Sequence, residues 1–295
     1  MTVSASSVKA PVATIGRWAA FVLLIVYSVL VVLNAWLSDD AYITFRTVDN
    51  VVNGYGLTWN IAERVQAYTH PLWMLLLSGF YAITREIYFT SLAVSIVISL
   101  AAAAILTFGV ARDRLAAVAT LVTLSLSKAF VDYSTSGLEN PLTHLILVGF
   151  VWVYFSDRYS IRKVALLSTL TALGMVNRID VGLLMLPALA YAIWQVRSIP
   201  TAMAGLLGFL PLAAWELFSI FYYGSAVPNT ALAKLNAGLI PASDLHRAGL
   251  SYLLNSLRVD PTTLTIIAAG VLLSIVSREL RRGALALGVV LYVAY

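Results

Sequence analysis

The chain has 295 residues, 60% hydrophobic and 11% charged, where an ordinary soluble domain carries about 25% charge. With a mean hydropathy of +0.87, this composition excludes a soluble globule, a disordered chain and a disulfide scaffold, and the lack of cysteine excludes Cys zinc sites and thiol catalysis. The net charge of +5, from 19 Lys+Arg and 14 Asp+Glu, reads as membrane topology rather than as a nucleic-acid surface.

Residues 1–17 are small, polar and weakly basic, and read as a cytoplasmic N-terminus. Trp18 to Leu37 carry no charge over 20 residues. They read as an uncleaved first span, because they exceed a signal-peptide core of roughly 7 to 15 residues and no A-x-A site precedes Asp39. Ser38 is an N-cap residue for a following helix that Asn53 and Gly54 end. On a 3.6 period Ala41, Phe45, Val48 and Val52 share one face, and Tyr42, Arg46, Asp49 and Asn53 another, which predicts an amphipathic surface helix. Asp39 and Asp40 stand at its N-terminus, where the helix dipole favours ionised carboxylates. Capping and marking the membrane boundary explain such a pair. A functional role is raised by the density of Arg46, Asn60, Glu63, Arg64, Gln66, Tyr68 and His70 in the same loop, which Gly54 and Gly56 allow to fold back. His70, followed by Pro71, reads as a turn residue rather than a metal ligand.

The apolar piece Pro71 to Thr84 has 14 residues, and as a helix covers ~21 Å of a ~30 Å hydrocarbon core. If it does not cross, the spans run near 18–37, 88–110, 115–131, 141–156, 163–177, 181–196, 200–223, 263–277 and 283 onward. The inner side then holds Lys9, Arg17, Arg112, Arg114, Arg158, Arg162, Lys163, Arg197, Arg278, Arg281 and Arg282 against Asp113, Asp157 and Glu279, a net +8, and the remainder is −3. If it crosses, the basic majority moves outside, against the positive-inside rule. The first arrangement is preferred, and Pro71 to Thr84 becomes a re-entrant or interfacial helix. Outer segments are then 38–88, 132–140 and 224–261, with the turn 177–180 facing the same way.

In the second outer segment Glu139 and Asn140 precede Pro141 at a helix entrance, where a capping role suffices for Glu139. Arg178 and Asp180 flank another entrance, as a local ion pair or as part of a site. Asn229 and Lys234 follow the seventh span, the Lys as a headgroup contact or a phosphate partner. Glu216, an acid within a span, is a functional candidate. His144 and His246 show no ligand spacing, and no Walker A, GxGxxG or HExxH occurs. The last apolar run, Gly283 to Tyr295, has 13 residues and reads as a span cut short.

The string LSDDAYITFRTVDNVVNGYGLTWNIAERVQAYTHPLW, with STSGLENPL, NRIDVGLL and YGSAVPNTALAKL, resembles the GT-C class of integral-membrane glycosyltransferases. It looks most like the actinobacterial branch that includes terminal β-(1→2)-arabinofuranosyltransferases. The resemblance implies an all-α polytopic membrane protein, a GT-C-like transmembrane helix bundle over 18–295, with an outer catalytic loop at about 38–87 built on juxtamembrane helices. It implies a plasma-membrane enzyme that takes a pentose or hexose from a polyprenyl-phosphate donor to an acceptor hydroxyl of a cell-envelope glycan, lipid or protein, with inversion, at the extracytoplasmic face. Asp39 is then the general base, with Asp40 its substitute or a metal ligand. Arg46, Arg64, Arg178 and Lys234 are cations for the leaving phosphate, and Glu63, Tyr68, His70, Asn140, Asp180 and Asn229 complete the substrate-binding set. Glu139 either orients the acceptor or shares a divalent cation, Mg or Mn, with Asp40. Gln66 and Tyr68 to Pro71 replace an acidic residue and Thr/Ser-rich sequence of the pattern, which leaves the sugar open. A transporter or a non-catalytic assembly subunit is the alternative.

Overall fold

The computed structural model describes residues 9–156, 158–231 and 242–295; Asp157 and Lys234 lie outside the described residues. Those described form helices joined by turns, with no strand among them. In chain order they are α1 (Lys9–Leu33), α2 (Asp39–Val52), α3 (Pro71–Thr84), α4 (Ile87–Ile105) with a π-turn at Leu106–Val110, α5 (Arg114–Leu126), α6 (Lys128–Asp132), α7 (Asn140–Phe155), α8 (Ile161–Asn177), α9 (Val181–Val196), α10 (Ile199–Gly208), α11 (Leu210–Tyr223), α12 (Ala242–Val259), α13 (Pro261–Val276) and α14 (Leu280–Ala294).

The local signals around α2 and α3 act as read. Ser38 caps α2 by accepting the Asp40 N–H, and Asn53 ends it. Ala41, Phe45 and Val48 are buried while Tyr42, Arg46, Asp49 and Asn53 are exposed. Pro71, with its fixed φ and no N–H to orphan, opens α3.

Several expected spans are shorter or broken. The first helix ends at Leu33, not Leu37. Span 115–131 stops at Ser127, which caps the separate α6 through the Phe130 N–H. Span 200–223 divides at Phe209, before Pro211, into α10 and α11, bent by 46°. Among the described residues one single helix is long and apolar enough to cross a membrane, the 24 residues Ile87–Val110. Counting each of two bent pairs as one span, α10 with α11 and Asp244–Val259 with α13, gives three.

Four apolar clusters hold the described helices, and two of them are the larger. Phe150 and Tyr154 of α7, Leu167 of α8 and Met185 and Leu189 of α9 form one, and Phe45, Tyr68, Trp73, Met74 and Leu77 form the other around α2, α3 and the loop between them. Burying each such side chain contributes roughly 1.5–3 kcal/mol. Ser134-Thr135-Ser136 is fully buried although polar. It is satisfied internally: Ser134 bonds Tyr27 and accepts from Ser99, Thr135 accepts from the Trp36 N–H, and the Ser136 carbonyl accepts from the Ser38 N–H at 2.9 Å. Helix ends therefore sort to two ends of the assembly. Residues 36–38, 57–73, 127–140, 177–181, 219–229 and 260–263 meet at one, while Tyr154, Ser156 and Arg281 meet at the other.

Candidate active site

The first loop carries Asp39 and Asp40 into solvent at the start of α2. One Asp39 oxygen accepts from the Ser38 hydroxyl (3.2 Å) and the Asp40 N–H (3.0 Å). Its second oxygen and the Asp40 carboxylate make no hydrogen bond with the described residues. A solvated carboxylate with an unoccupied oxygen is what proton abstraction from an incoming hydroxyl requires.

Behind the pair, the loop is folded back by its own polar groups. Gly54 and Gly56 take positive φ of 84° and 90°, conformations that carry no steric cost only for glycine. Asn50 then donates to the Thr58 carbonyl at 2.8 Å, and Arg46 donates to the Trp59 carbonyl at 2.9 Å while its guanidinium stacks on the Trp59 ring at 4.3 Å. Arg46 also reaches Asn60, whose amide donates to Glu63 at 2.6 Å. Arg46 is thus a clamp on the loop, with its outer edge in solvent. Arg64 lies over the Tyr222 ring at 5.0 Å, the Asn229 side chain accepts from the Gln66 N–H, and the buried Tyr68 hydroxyl bonds Tyr223, whose own hydroxyl donates to the Leu57 carbonyl. Burial pushes the Tyr68 phenol well above its ordinary value.

Four residues separated in sequence converge beside this loop. The Glu139 carboxylate is 3% exposed as a residue, with one oxygen 3.2 Å from His70 Nδ1 and the other 3.0 Å from an Arg178 guanidinium nitrogen. Arg178 also bonds both Asp180 oxygens, at 2.9 and 3.0 Å. His70 Nε2 lies 2.7 Å from the Thr44 hydroxyl. A carboxylate only accepts, so Nδ1 carries the imidazole proton and Nε2 accepts from Thr44. Burial, the largest influence, holds the His70 pKa below its ordinary value against the opposing pull of Glu139, so the ring is neutral. The Arg178 guanidinium is held charged, its pKa raised by Glu139 and Asp180 against the burial that would lower it.

These contacts correct the capping reading of Glu139. It occupies the N-cap position of α7 yet makes no side-chain cap, and Pro141 follows one place later than N1. His70 is more than a turn residue, and the Arg178–Asp180 pair is one part of a wider network. Both Glu139 oxygens are already bonded, and no group of three His, Cys, Asp or Glu side chains that would hold a metal forms among the described residues. Asn140 and Arg178 line a cavity on the far side of the network. Thr44 and Asn177 were not singled out by sequence. Asn177 donates to the Glu139 carbonyl and to Thr143; its adjacency to Arg178 was the only signal. The tyrosines Tyr222 and Tyr223 were missed as well, hidden in an apolar helix.

The arrangement places an exposed carboxylate pair, exposed arginines and a rigid charged network at one end of a helical assembly. The chain is 31% identical over 245 residues to a terminal β-(1→2)-arabinofuranosyltransferase of Mycobacterium tuberculosis, an alignment covering 75% of this chain and 37% of that protein. The chain is related to the arabinofuranosyltransferase-like branch of membrane glycosyltransferases. A protein of the same name from Corynebacterium glutamicum is 29% identical over 231 residues, covering 68% of this chain and 33% of that one. The chain thus spans about a third of the length of these curated relatives. No protein-family model and no solved structure matches it.

Proposed function

We propose that the chain is the glycosyltransferase part of a multi-pass plasma-membrane protein, transferring a pentose or hexose from a polyprenyl-phosphate donor to an acceptor hydroxyl at the extracytoplasmic face. The observation that carries this reading is the alignment over 245 residues with proteins named for arabinofuranosyl transfer. In the reaction, the acceptor oxygen attacks the anomeric carbon while its proton passes to Asp39. The bond from that carbon to the phosphate oxygen breaks on the opposite face, and the lipid phosphate leaves with the electron pair, giving inversion. Phosphate is a sufficient leaving group without a general acid, and fixed cations favour its charge. Arg46 and Arg64 suit that task, being exposed and paired with no carboxylate among the described residues, whereas Arg178 is matched by Glu139 and Asp180.

The outward orientation is supported by the contacts of α3. Ser38, His70 and Trp73 all bond residues 136–139, so the loop before α3 and the entrance of α7 share one end of the assembly, which fits a re-entrant α3 if α4 and α5 each cross once. The basic residues Arg281 and Lys163 gather at the other end around Ser156, the side that the positive-inside rule assigns to the cytoplasm.

Membranes bearing Asp39→Asn, supplied with radiolabelled polyprenyl-phosphate sugar, should lose transfer by about 10²–10⁴-fold, the contribution of a general base. Undiminished transfer would overturn the base assignment, and undiminished transfer with Asp40→Asn added would favour the non-catalytic subunit. A cysteine replacing Arg112 or Arg162 should resist an impermeant thiol reagent on intact cells; labelling there would reverse the orientation.

A further inference from the structure

A second recess opens across Arg178 from the Glu139 network. It is a cavity of about 320 Å³ between α6, α7, α9, α13 and α14. Its lining is mostly apolar and carries a set of polar groups: the hydroxyl-bearing Tyr133, Thr143, Thr263 and Tyr292, the amide of Asn140 and the imidazole of His144. His144 stacks on Phe130 at 4.6 Å between ring centroids, and its Nδ1 is buried without a hydrogen-bond partner among the described residues.

Charge decides what enters. Arg178 is the single cation on the wall, and it is already paired with Glu139 at 3.0 Å and Asp180 at 2.9 Å. Those two carboxylates do not line the cavity but neutralise Arg178 from behind, so the wall offers an anion no unmatched cation. Aromatic surface beside hydroxyl and amide groups suits an uncharged polyol, and the volume accommodates one sugar ring with water. The cavity also adjoins the catalytic loop. Tyr133 packs edge-on against Trp36 at 6.4 Å, and the Trp36 indole donates to the Asp132 carbonyl, three residues before Asp39.

We infer that this cavity, lined by the His144 ring and the Asn140 amide, binds an uncharged sugar ring of the acceptor. That it is the acceptor's rests on the transferase reading, since the donor carries a phosphate that this wall disfavours.

The test uses the whole chain purified in detergent micelles, with methyl arabinofuranoside as the neutral probe and inorganic phosphate as the anionic one. Saturation-transfer NMR should show millimolar binding of the glycoside and no broadening of the phosphate ³¹P line. His144→Phe, which keeps the stack on Phe130, should weaken glycoside binding about tenfold, and Leu184→Trp, which fills the cavity, should abolish it. Absence of glycoside binding by the unmodified chain, or binding unchanged in His144→Phe, overturns the inference, as does preferential binding of phosphate. The lipid donor plays no part in this measurement. Glycoside binding without any sugar transfer would therefore leave the cavity as a neutral-sugar site and remove the transferase reading together with the acceptor role, whereas transfer with an unaltered acceptor KM in His144→Phe would remove the cavity assignment alone.

Discussion

His70 Nδ1 and Glu139 Oε2 lie 3.2 Å apart, joining two segments 69 positions distant in the chain. The pair fixes the end of the loop between α2 and α3 to the entrance of α7, and through Arg178 and Thr44 it couples α8 and α2 to the same point. Glu139→Gln keeps the shape but removes the charge that Arg178 and the imidazole N–H address. It should destabilise the fold by about 2 kcal/mol, less than a fully buried ion pair because Arg178 is half in solvent. Thermal unfolding in a single detergent measures this, and a shift within error would show the network to be dispensable.

The neutral state of His70 makes stability depend on pH. Its folded pKa is lowered from 6.5, so the unfolded chain binds the proton first. The stabilisation is complete above pH 6.5 and declines as pH falls from there toward the folded pKa. His70→Gln should flatten the unfolding midpoint across that window. An equally steep profile in the variant would assign the dependence to another group.

Gly137 has a φ of 78°, and a Cβ there would stand 2.8 Å from Ala41 Cβ and 2.9 Å from Leu37 Cδ2. Its carbonyl also accepts the Trp73 indole N–H at 2.9 Å. Gly137→Ala combines a left-handed conformation with overpacking and should cost about 2–4 kcal/mol. Gly54, also at positive φ but with open space around its Cβ position, should lose only about 1 kcal/mol on the same change. Paired denaturation curves test the difference.

Tyr223 holds two points of the loop with one hydroxyl, receiving from Tyr68 at 2.8 Å and donating to Leu57 at 2.6 Å. Tyr223→Phe leaves the buried Tyr68 hydroxyl without its partner and should cost about 1–3 kcal/mol. It should also raise proteolysis between Leu57 and Tyr68, the stretch carrying Glu63 and Arg64. Unchanged cleavage there would show that the stacking on Arg64 and Arg46 suffices to hold the loop.

The chain's membrane character and the limits of α2 and α3 were legible in the amino-acid order, because they depend on local signals: few charges, Ser38 as a cap, Asn53 as a stop, and Pro71 at a helix start. The burial of Ala41, Phe45 and Val48 followed from periodicity alone. Glu139, Arg178, Asp180 and His70 were recognisable as polar residues near helix entrances, but each had a sufficient local explanation, and only folding brought all four within hydrogen-bonding reach. The breaks at Ser127 and Phe209 were equally hidden. An apolar run records that its side chains avoid water, and it does not record where one helix stops and the next begins. Ser134-Thr135-Ser136 shows the same limit: a polar stretch reads as surface until neighbouring segments supply its hydrogen bonds, and then it can lie at the centre. Sequence determined which groups are expensive to bury, and tertiary structure decided which of them found partners, since pairing energy depends on distances that residue order does not contain.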